Sequence, residues 1–231
     1  MGYFLMLLLA IDTSGKLGSI ALARTGERSA TDIELIETVP LAGGTFSAQL
    51  VPQIAELLSS HGFTKLDIGA LASATGPGSF TGLRIGLAAV KALAEILQKP
   101  IAAVSLLEVC VLKSGTQGKV MSAMDAGRND VYMGEYEVSA NPSHSPREYI
   151  LTRSEFLAQA KGWAVVTPDP ALSQAALEAG LSVLTLQPIS AADVARVGWR
   201  RIQAGGTVIP EELEANYIRR TDAEMLERVP F

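Results

Sequence analysis

The chain has 231 residues, 48% hydrophobic and 19% charged, with 21 glycines and 11 prolines. That composition excludes disorder, a collagen repeat and a disulfide scaffold, and the length suits one large domain or two small ones. The single cysteine can form neither an internal bridge nor a zinc site, which points to a reducing compartment. Lys and Arg total 19 against 24 Asp and Glu, a formal net charge of −5. A strong unaided grip on nucleic acid is not expected from that balance, although it leaves room for a local patch.

Residues 1–11 are almost wholly apolar. No basic residue precedes the run, it is too short to span a bilayer, and it ends at Asp12 rather than at a small-residue cleavage site. Met1-Gly2 resembles a myristoylation start, but position six is Met6 and not Ser or Thr. The stretch reads as a buried strand, and the protein is expected to be cytoplasmic with no membrane partner. Strands are predicted over 5–11, 17–24 and 33–39. Asp12-Thr13-Ser14-Gly15 and Thr25-Gly26-Glu27 supply the turns of a meander.

The period then changes. Leu50, Val51, Ile54, Leu57 and Leu58 share a helical face, and Gly62 stops the helix. Pro52 bends this helix unless it begins later than residue 49. A small-residue strand over 67–74 leads through a Gly/Pro loop at 75–82 into a helix over 83–97. A strand follows over 100–104 and a short helix over 106–113. The second half alternates: strands at 120–124 and 131–138, a loop at 141–146, and a capping box at Thr152 and Glu155. Two more helices open at Asp169-Pro170 and at Ser190/Asp193, with strands over 164–167 and 182–186. The expected division is 1–104 and 105–231.

The most distinctive stretch is Gly76-Pro77-Gly78-Ser79-Phe80-Thr81-Gly82-Leu83-Arg84-Ile85-Gly86. It lies between a strand and a helix, where backbone N–H groups and the helix dipole can face an anion. It is neither a Walker A loop nor a dinucleotide fingerprint. Two readings stand. Asp12, Gly76, Gly78, Ser79 and Gly82 form a phosphate loop, or the glycines permit a tight turn and close helix–strand packing. The helix that follows carries two apolar stripes, Gly82/Gly86/Ala89/Leu93/Ile96 and Leu83/Leu87/Val90/Ala94, and a polar strip with Arg84, Lys91 and Glu95. So wide an arc means burial on two sides within the chain, or one stripe on the sheet and one on a partner. Catalytic groups are sparse. His61 and His144 sit in no metal-ligand spacing and read as surface residues, Cys110 reads as a buried small hydrophobe, and no catalytic or metal-binding residue is assigned. Asp125 occupies in the second half the place that Asp12 holds in the first.

Ala10-Ile11-Asp12-Thr13-Ser14, the Gly76–Gly86 block, Asp125-Ala126-Gly127-Arg128-Asn129-Asp130-Val131-Tyr132 and Tyr217-Ile218-Arg219-Arg220 follow one another in order. Together they closely resemble the bacterial TsaB family, also called YeaZ, across essentially the whole chain. The resemblance implies the α/β class: an actin-like ATPase (ASKHA) fold of two RNase H-like halves, the second abbreviated. It further implies a non-catalytic, cofactor-free partner of TsaD in forming threonylcarbamoyladenosine (t6A) at position 37 of tRNAs that read ANN codons. TsaE completes that complex, tRNA is reached only through it, and a homodimer is an alternative assembly.

TsaD-type proteins carry a metal-binding HxxxH just after the fifth strand. Here Leu106 and Cys110 fill those positions. The family's association through its first two helices carries the partner surface to Gln49, Gln53, Glu56, Leu83, Arg84, Leu87, Val90, Lys91 and Ala94. Phe46 stands where many relatives have His, and an exposed Phe there would alter that surface. Two rival classes remain. An actin-like ATPase or phosphotransferase would use Asp12 and the Gly76–Gly82 loop. A peptidase would need a metal or an activated nucleophile, against which the sparse histidines argue.

Overall fold

The computed structural model describes residues 6–25, 33–139 and 147–218. The Met1-Gly2 start, residue 5 of the first strand, most of the turn at 25–27, the loop at 141–146 with His144, and Arg219-Arg220 lie outside the described residues.

The meander is present. Strands β1 (Leu7–Asp12), β2 (Gly18–Thr25) and β3 (Ile33–Leu41) run antiparallel, and β4 (Ile68–Gly76) and β5 (Ile101–Ser105) add in parallel. The sheet order is β3-β2-β1-β4-β5. Pairing register explains the composition of these strands. Leu22, Leu9, Leu71 and Ile101 align across four strands, and so do Ala21, Ala10, Ala72 and Ala102. Neighbouring residues on a strand point to opposite faces, so one face is aliphatic and the other is a row of alanines.

The aliphatic face packs against α1 (Phe46–Ser60) and α2 (Phe80–Leu97), in a core that includes Leu50, Leu57, Leu83, Leu87 and Val90. Helix α1 begins earlier than the sequence indicates and keeps Pro52 inside it. Phe46 is buried in this core, and its ring lies against Gly18. The expectation of an exposed Phe at that position is therefore corrected. At the first turn of α1 the side chain turns inward, onto the β2 end.

The alanine face carries a third helix, from far along the chain. Alanines leave room for a helix backbone to approach closely, and α6 (Ala191–Gln203) occupies that room. A Cβ on Gly198 would lie 2.6 Å from the Cβ of Ala72 and 3.4 Å from that of Ala102. The helix start is fixed to the sheet, since the Ala191 N–H donates to Ser19 Oγ at 2.8 Å. The Ser190/Asp193 capping box expected from sequence is present, and Arg201 near the helix end bonds Glu108. Beyond α6 the chain stays on this unit. The Val208 N–H donates to the Ile101 carbonyl at 2.9 Å and the Asn216 N–H to the Thr75 carbonyl at 2.7 Å. Leu213 joins the aliphatic core.

One compact unit is thus Met1–Val109 with Ile189–Asn216, and the other is Cys110–Pro188 with Tyr217–Phe231. This differs from a division into 1–104 and 105–231. The break falls inside α3 (Leu106–Ser114), and the alanine face takes its cover from a helix near the far end of the chain.

The second unit contains β6 (Gly118–Gly127), β7 (Asp130–Val138) and β8 (Arg147–Thr152) as a meander. Helix α4 (Arg153–Gln159), β9 (Ala164–Thr167), α5 (Pro170–Glu178) and β10 (Ser182–Thr185) follow. Its sheet order, β10-β9-β6-β7-β8, repeats that of the first. The sequence reading missed β8. Its Arg147, Glu148 and Tyr149 hide the alternation, and only in the paired sheet do their roles show: Tyr149 Oη donates to Glu135 Oε1 at 2.6 Å, and Tyr136 Oη to Glu148 Oε1 at 2.5 Å. The second half matches the first in strand number and is shorter in its helices, seven residues in α4 and nine in α5 against 15 in α1 and 18 in α2, and in β9 and β10, with four residues each. Met121, Val131, Met133, Leu151 and Phe156 form its core. Among the described residues no helix is long and apolar enough to cross a membrane.

Substituting Gly198→Ala is expected to cost about 1–3 kcal/mol, the usual range for overpacking a tight contact. Urea unfolding of the purified chain would show it as a lower midpoint with an unchanged slope.

Candidate functional site

The Gly/Pro loop and the β1–β2 turn meet at the ends of β1 and β4. A Cβ on Gly82 would lie 2.0 Å from the Thr13 carbonyl oxygen, and one on Gly86 would lie 2.4 Å from Thr13 Oγ1. Thr13 Oγ1 donates to the Gly82 carbonyl at 2.8 Å. The Ser79 N–H donates to the Ser14 carbonyl at 2.7 Å, and Ser79 Oγ accepts from the Gly82 N–H at 3.2 Å as the N-cap of α2. Two of the donors that an anion would need are therefore engaged within the chain. Gly76 is buried and precedes a cis peptide bond to Pro77, whereas Gly78 is exposed. The spacing of Gly82 and Gly86, one helical turn apart, follows from seating α2 directly on Thr13.

Asp12 is buried beside this contact and faces the start of α6. Its Oδ1 accepts from the Ser14 N–H at 2.9 Å and from Ser14 Oγ at 2.6 Å. Burial pushes its pKa above the ordinary value of 3.8, the Ser14 hydrogen bonds pull the other way, and the Asp193 carboxylate adds to the rise. Desolvation therefore outweighs the hydrogen bonds, as expected for a buried carboxylate beside which no cation stands among the described residues. Asp125, its counterpart in the second unit, is exposed. There the Asp125 backbone N–H donates to Asp169 Oδ2 at 2.8 Å.

The other groups weighed in sequence are dispersed. His61 caps the end of α1 with its Nε2 2.7 Å from Glu37 Oε2. Leu106 and Cys110 are buried in α3. Among the described residues no three His, Cys, Asp or Glu side chains are grouped to hold a metal ion.

Helices α1 and α2 divide the expected partner surface. Gln49, Gln53, Glu56, Arg84 and Lys91 reach solvent wholly or in part. Leu83, Leu87, Val90 and Ala94 do not; they are buried in the core under the sheet. These four are corrected from partner-facing to core residues. The stripe continuous with Gly82 and Gly86 has its first turns pressed on Thr13, and Ala89 and Leu93 pack at the edge of the same core as Val208 and Leu213. The wide apolar arc is thus mostly satisfied within the chain. What stays outside is a narrower ridge of Ala88, Ala92 and Ile96 on α2, and Ala48, Val51 and Ala55 on α1. Val51 is 65% and Ile96 70% exposed. The place of Val51 in the apolar run predicts an inward side chain; at one turn from Ala48 and Ala55 it belongs to the outer face instead. Phe80 and Arg84, one turn apart at the start of α2, stack with the guanidinium 3.7 Å from the ring centroid. Sequence reasoning did not single out this pair, though the spacing of four allows it.

The fold and this arrangement define a protein of the actin-like α/β class with its loop closed onto a strand turn. The family model of TsaD, tRNA N6-adenosine threonylcarbamoyltransferase, matches residues 40–198. The chain belongs to the TsaB (YeaZ) family within that group. It is 29% identical to the tRNA threonylcarbamoyladenosine biosynthesis protein TsaB of Escherichia coli, over 94% of this chain and 96% of that protein. It is 35% identical to the TsaB of Bacillus subtilis over 57% of this chain and 56% of that one. Of solved structures, YeaZ from Pseudomonas aeruginosa superposes with a TM-score of 0.69 at 23% identity, covering 92% of this chain and all 100% of that one.

Asp12→Asn keeps an Oδ1 acceptor for Ser14 and removes the charge. With a raised pKa, the contribution of Asp12 to stability is full below the unfolded-state value near 3.8 and is lost as pH rises through the folded-state value. The melting temperature of Asp12→Asn relative to the wild-type chain is therefore expected to increase from pH 4 to pH 7. Thermal melts in matched buffers would show a flat difference if the carboxylate carried no such penalty.

Proposed function

We propose that this chain is a non-catalytic subunit in the formation of threonylcarbamoyladenosine in tRNA, acting by binding a TsaD-type transferase. The observation that carries the reading is the outer ridge of α1 and α2. Small side chains at Ala48, Ala55, Ala88 and Ala92, with Val51 and Ile96 beside them, leave two helix backbones open to close approach by another pair of helices. Gln49, Gln53, Glu56, Arg84 and Lys91 border the ridge as a polar rim, the arrangement typical of specific interfaces. The names of the relatives support the pathway. The apolar side chains of Leu106 and Cys110, at the positions where transferases of the group place two histidines, support the accessory role. TsaE as a further member, tRNAs reading ANN codons as substrate, access to tRNA through the complex, a cytoplasmic setting and a homodimer on the same ridge when TsaD is absent belong to this reading.

The runner-up, an ATPase using Asp12 and the Gly76–Gly82 loop, is disfavoured because Ser79 and Gly82 spend their N–H groups within the chain. Reconstituted tRNA modification with purified cognate TsaD, TsaE and threonylcarbamoyl-adenylate synthase separates the two. Omission of this chain is expected to abolish activity, and Asp12→Asn to leave it intact; loss of turnover in Asp12→Asn with normal TsaD binding would favour the ATPase.

Placing a charge on the ridge by Ala55→Glu or Ala88→Glu is expected to weaken TsaD binding by at least about tenfold, or ~1.4 kcal/mol, without lowering the melting temperature. Leu87→Glu is expected to unfold the chain instead. Calorimetric titration beside thermal melts distinguishes these outcomes.

A further inference from the structure

The second unit has an open cleft of about 690 Å³ at the beginnings of β6, β9 and β10, lined by Lys119, Lys161, Trp163, Leu181 and Ser182 among others. It lies far in sequence from the Asp12 turn and from the α1–α2 ridge. The Lys119 ammonium lies over the Trp163 ring, 5.8 Å from its centroid, and Trp163 packs at the edge of the unit's core. Both lysines are exposed, and among the described residues neither is paired with a carboxylate. Glu137, opposite Lys119 on β7, is the carboxylate that register brings nearest.

In a chain with a net charge of −5, Lys119 over the indole and Lys161 on the same lining make the cleft locally basic, offset in part by Glu137 across the strand pair. The cleft is too open to enclose a small molecule, which normally buries most of its surface. A basic groove with an aromatic wall is the pattern that holds a single nucleic-acid strand, phosphates on the cations and bases against the ring. Lys161 follows the C-terminal end of α4, and Ala179 and Gly180 follow that of α5. Those carbonyl ends subtract from the field of the lysines, so the interaction is weak and strongly salt-dependent.

We propose that this cleft holds a single-stranded segment of RNA, with Lys119 and Lys161 on consecutive phosphates and Trp163 against a base. The inference rests on the tRNA-modification reading for the identity of the RNA and departs from it in one point, a weak direct RNA contact by this chain outside the complex; its test needs no enzymatic activity. Fluorescein-labelled decauridylate and an unmodified tRNA transcript would be titrated with the full chain at low and moderate salt. Anisotropy reports binding, and tryptophan emission reports the approach of a base.

Binding of both RNAs is expected, with quenching that disappears in Trp163→Phe. The double variant Lys119→Ala/Lys161→Ala should bind at least about tenfold more weakly at 50 mM salt. Its slope of log K against log salt should fall by about 1.4, two phosphates at about 0.7 each for a single strand. Equal binding by the wild-type chain and the double variant, or no binding at low salt, would overturn the proposal. So would full competition by uridine monophosphate at equal nucleotide concentration, which would make this a mononucleotide site. If the double variant keeps full t6A activity and unchanged RNA affinity, the cleft proposal fails while the accessory role stands. If t6A formation proves independent of the chain but the lysines still govern RNA binding, the cleft stands and the pathway assignment falls.

Discussion

Burial of one sheet on both faces governs the first unit. Aliphatic side chains on one face hold α1 and α2, while alanines on the other let α6 come down until Gly198 touches Ala72. The two demands alternate residue by residue along β1, β2, β4 and β5. No single strand can slip register without putting leucines under α6 and alanines under α2. Seating of α2 on Thr13 is set by the same logic at a smaller scale. Gly82 and Gly86 stand where any side chain would strike the β1–β2 turn, and Ser79 then completes the helix start.

This logic explains which parts of the molecule were legible in the amino-acid order. Local features were: the meander, the Thr152/Glu155 and Ser190/Asp193 boxes, and the strand–loop–helix around Gly76 all follow from short-range pattern and capping chemistry. Strand β8 was not, because Glu148 and Tyr149 find their partners on β7 and α4, and Arg147 shows its place only through its register with Glu135. Nor was the destination of α6. Nothing between Ala191 and Gln203 says which sheet it covers; the alanine row eighty or more residues earlier does. The division of the chain was misplaced for that reason.

The surface attributed to a partner shows the same limit. Periodicity identified α2 as apolar around most of its circumference but could not rank its stripes. Leu83, Leu87, Val90 and Ala94 turned out to face the sheet, and the tail with Val208 and Leu213 supplied extra cover that the helix sequence could not reveal. What remains outside is smaller and flatter, built of alanines with Val51 and Ile96. Phe46 follows the same rule, since a large apolar side chain at a helix start beside a glycine, Gly18, has an inward option.

The return of α6 also bears on the order of events during synthesis. On the ribosome the first sheet emerges with its aliphatic face able to gather α1 and α2, but its alanine face stays bare until the chain has been made beyond Gly198. Domains generally mature as units, the earlier one first. Here the earlier unit contains residues 189–216, so it cannot reach its final form before residues 110–188 of the second unit have left the exit tunnel. The later-made helix α6 therefore acts as the closing step for the sheet made before it, and the nascent protein must keep that face from straying until the step arrives.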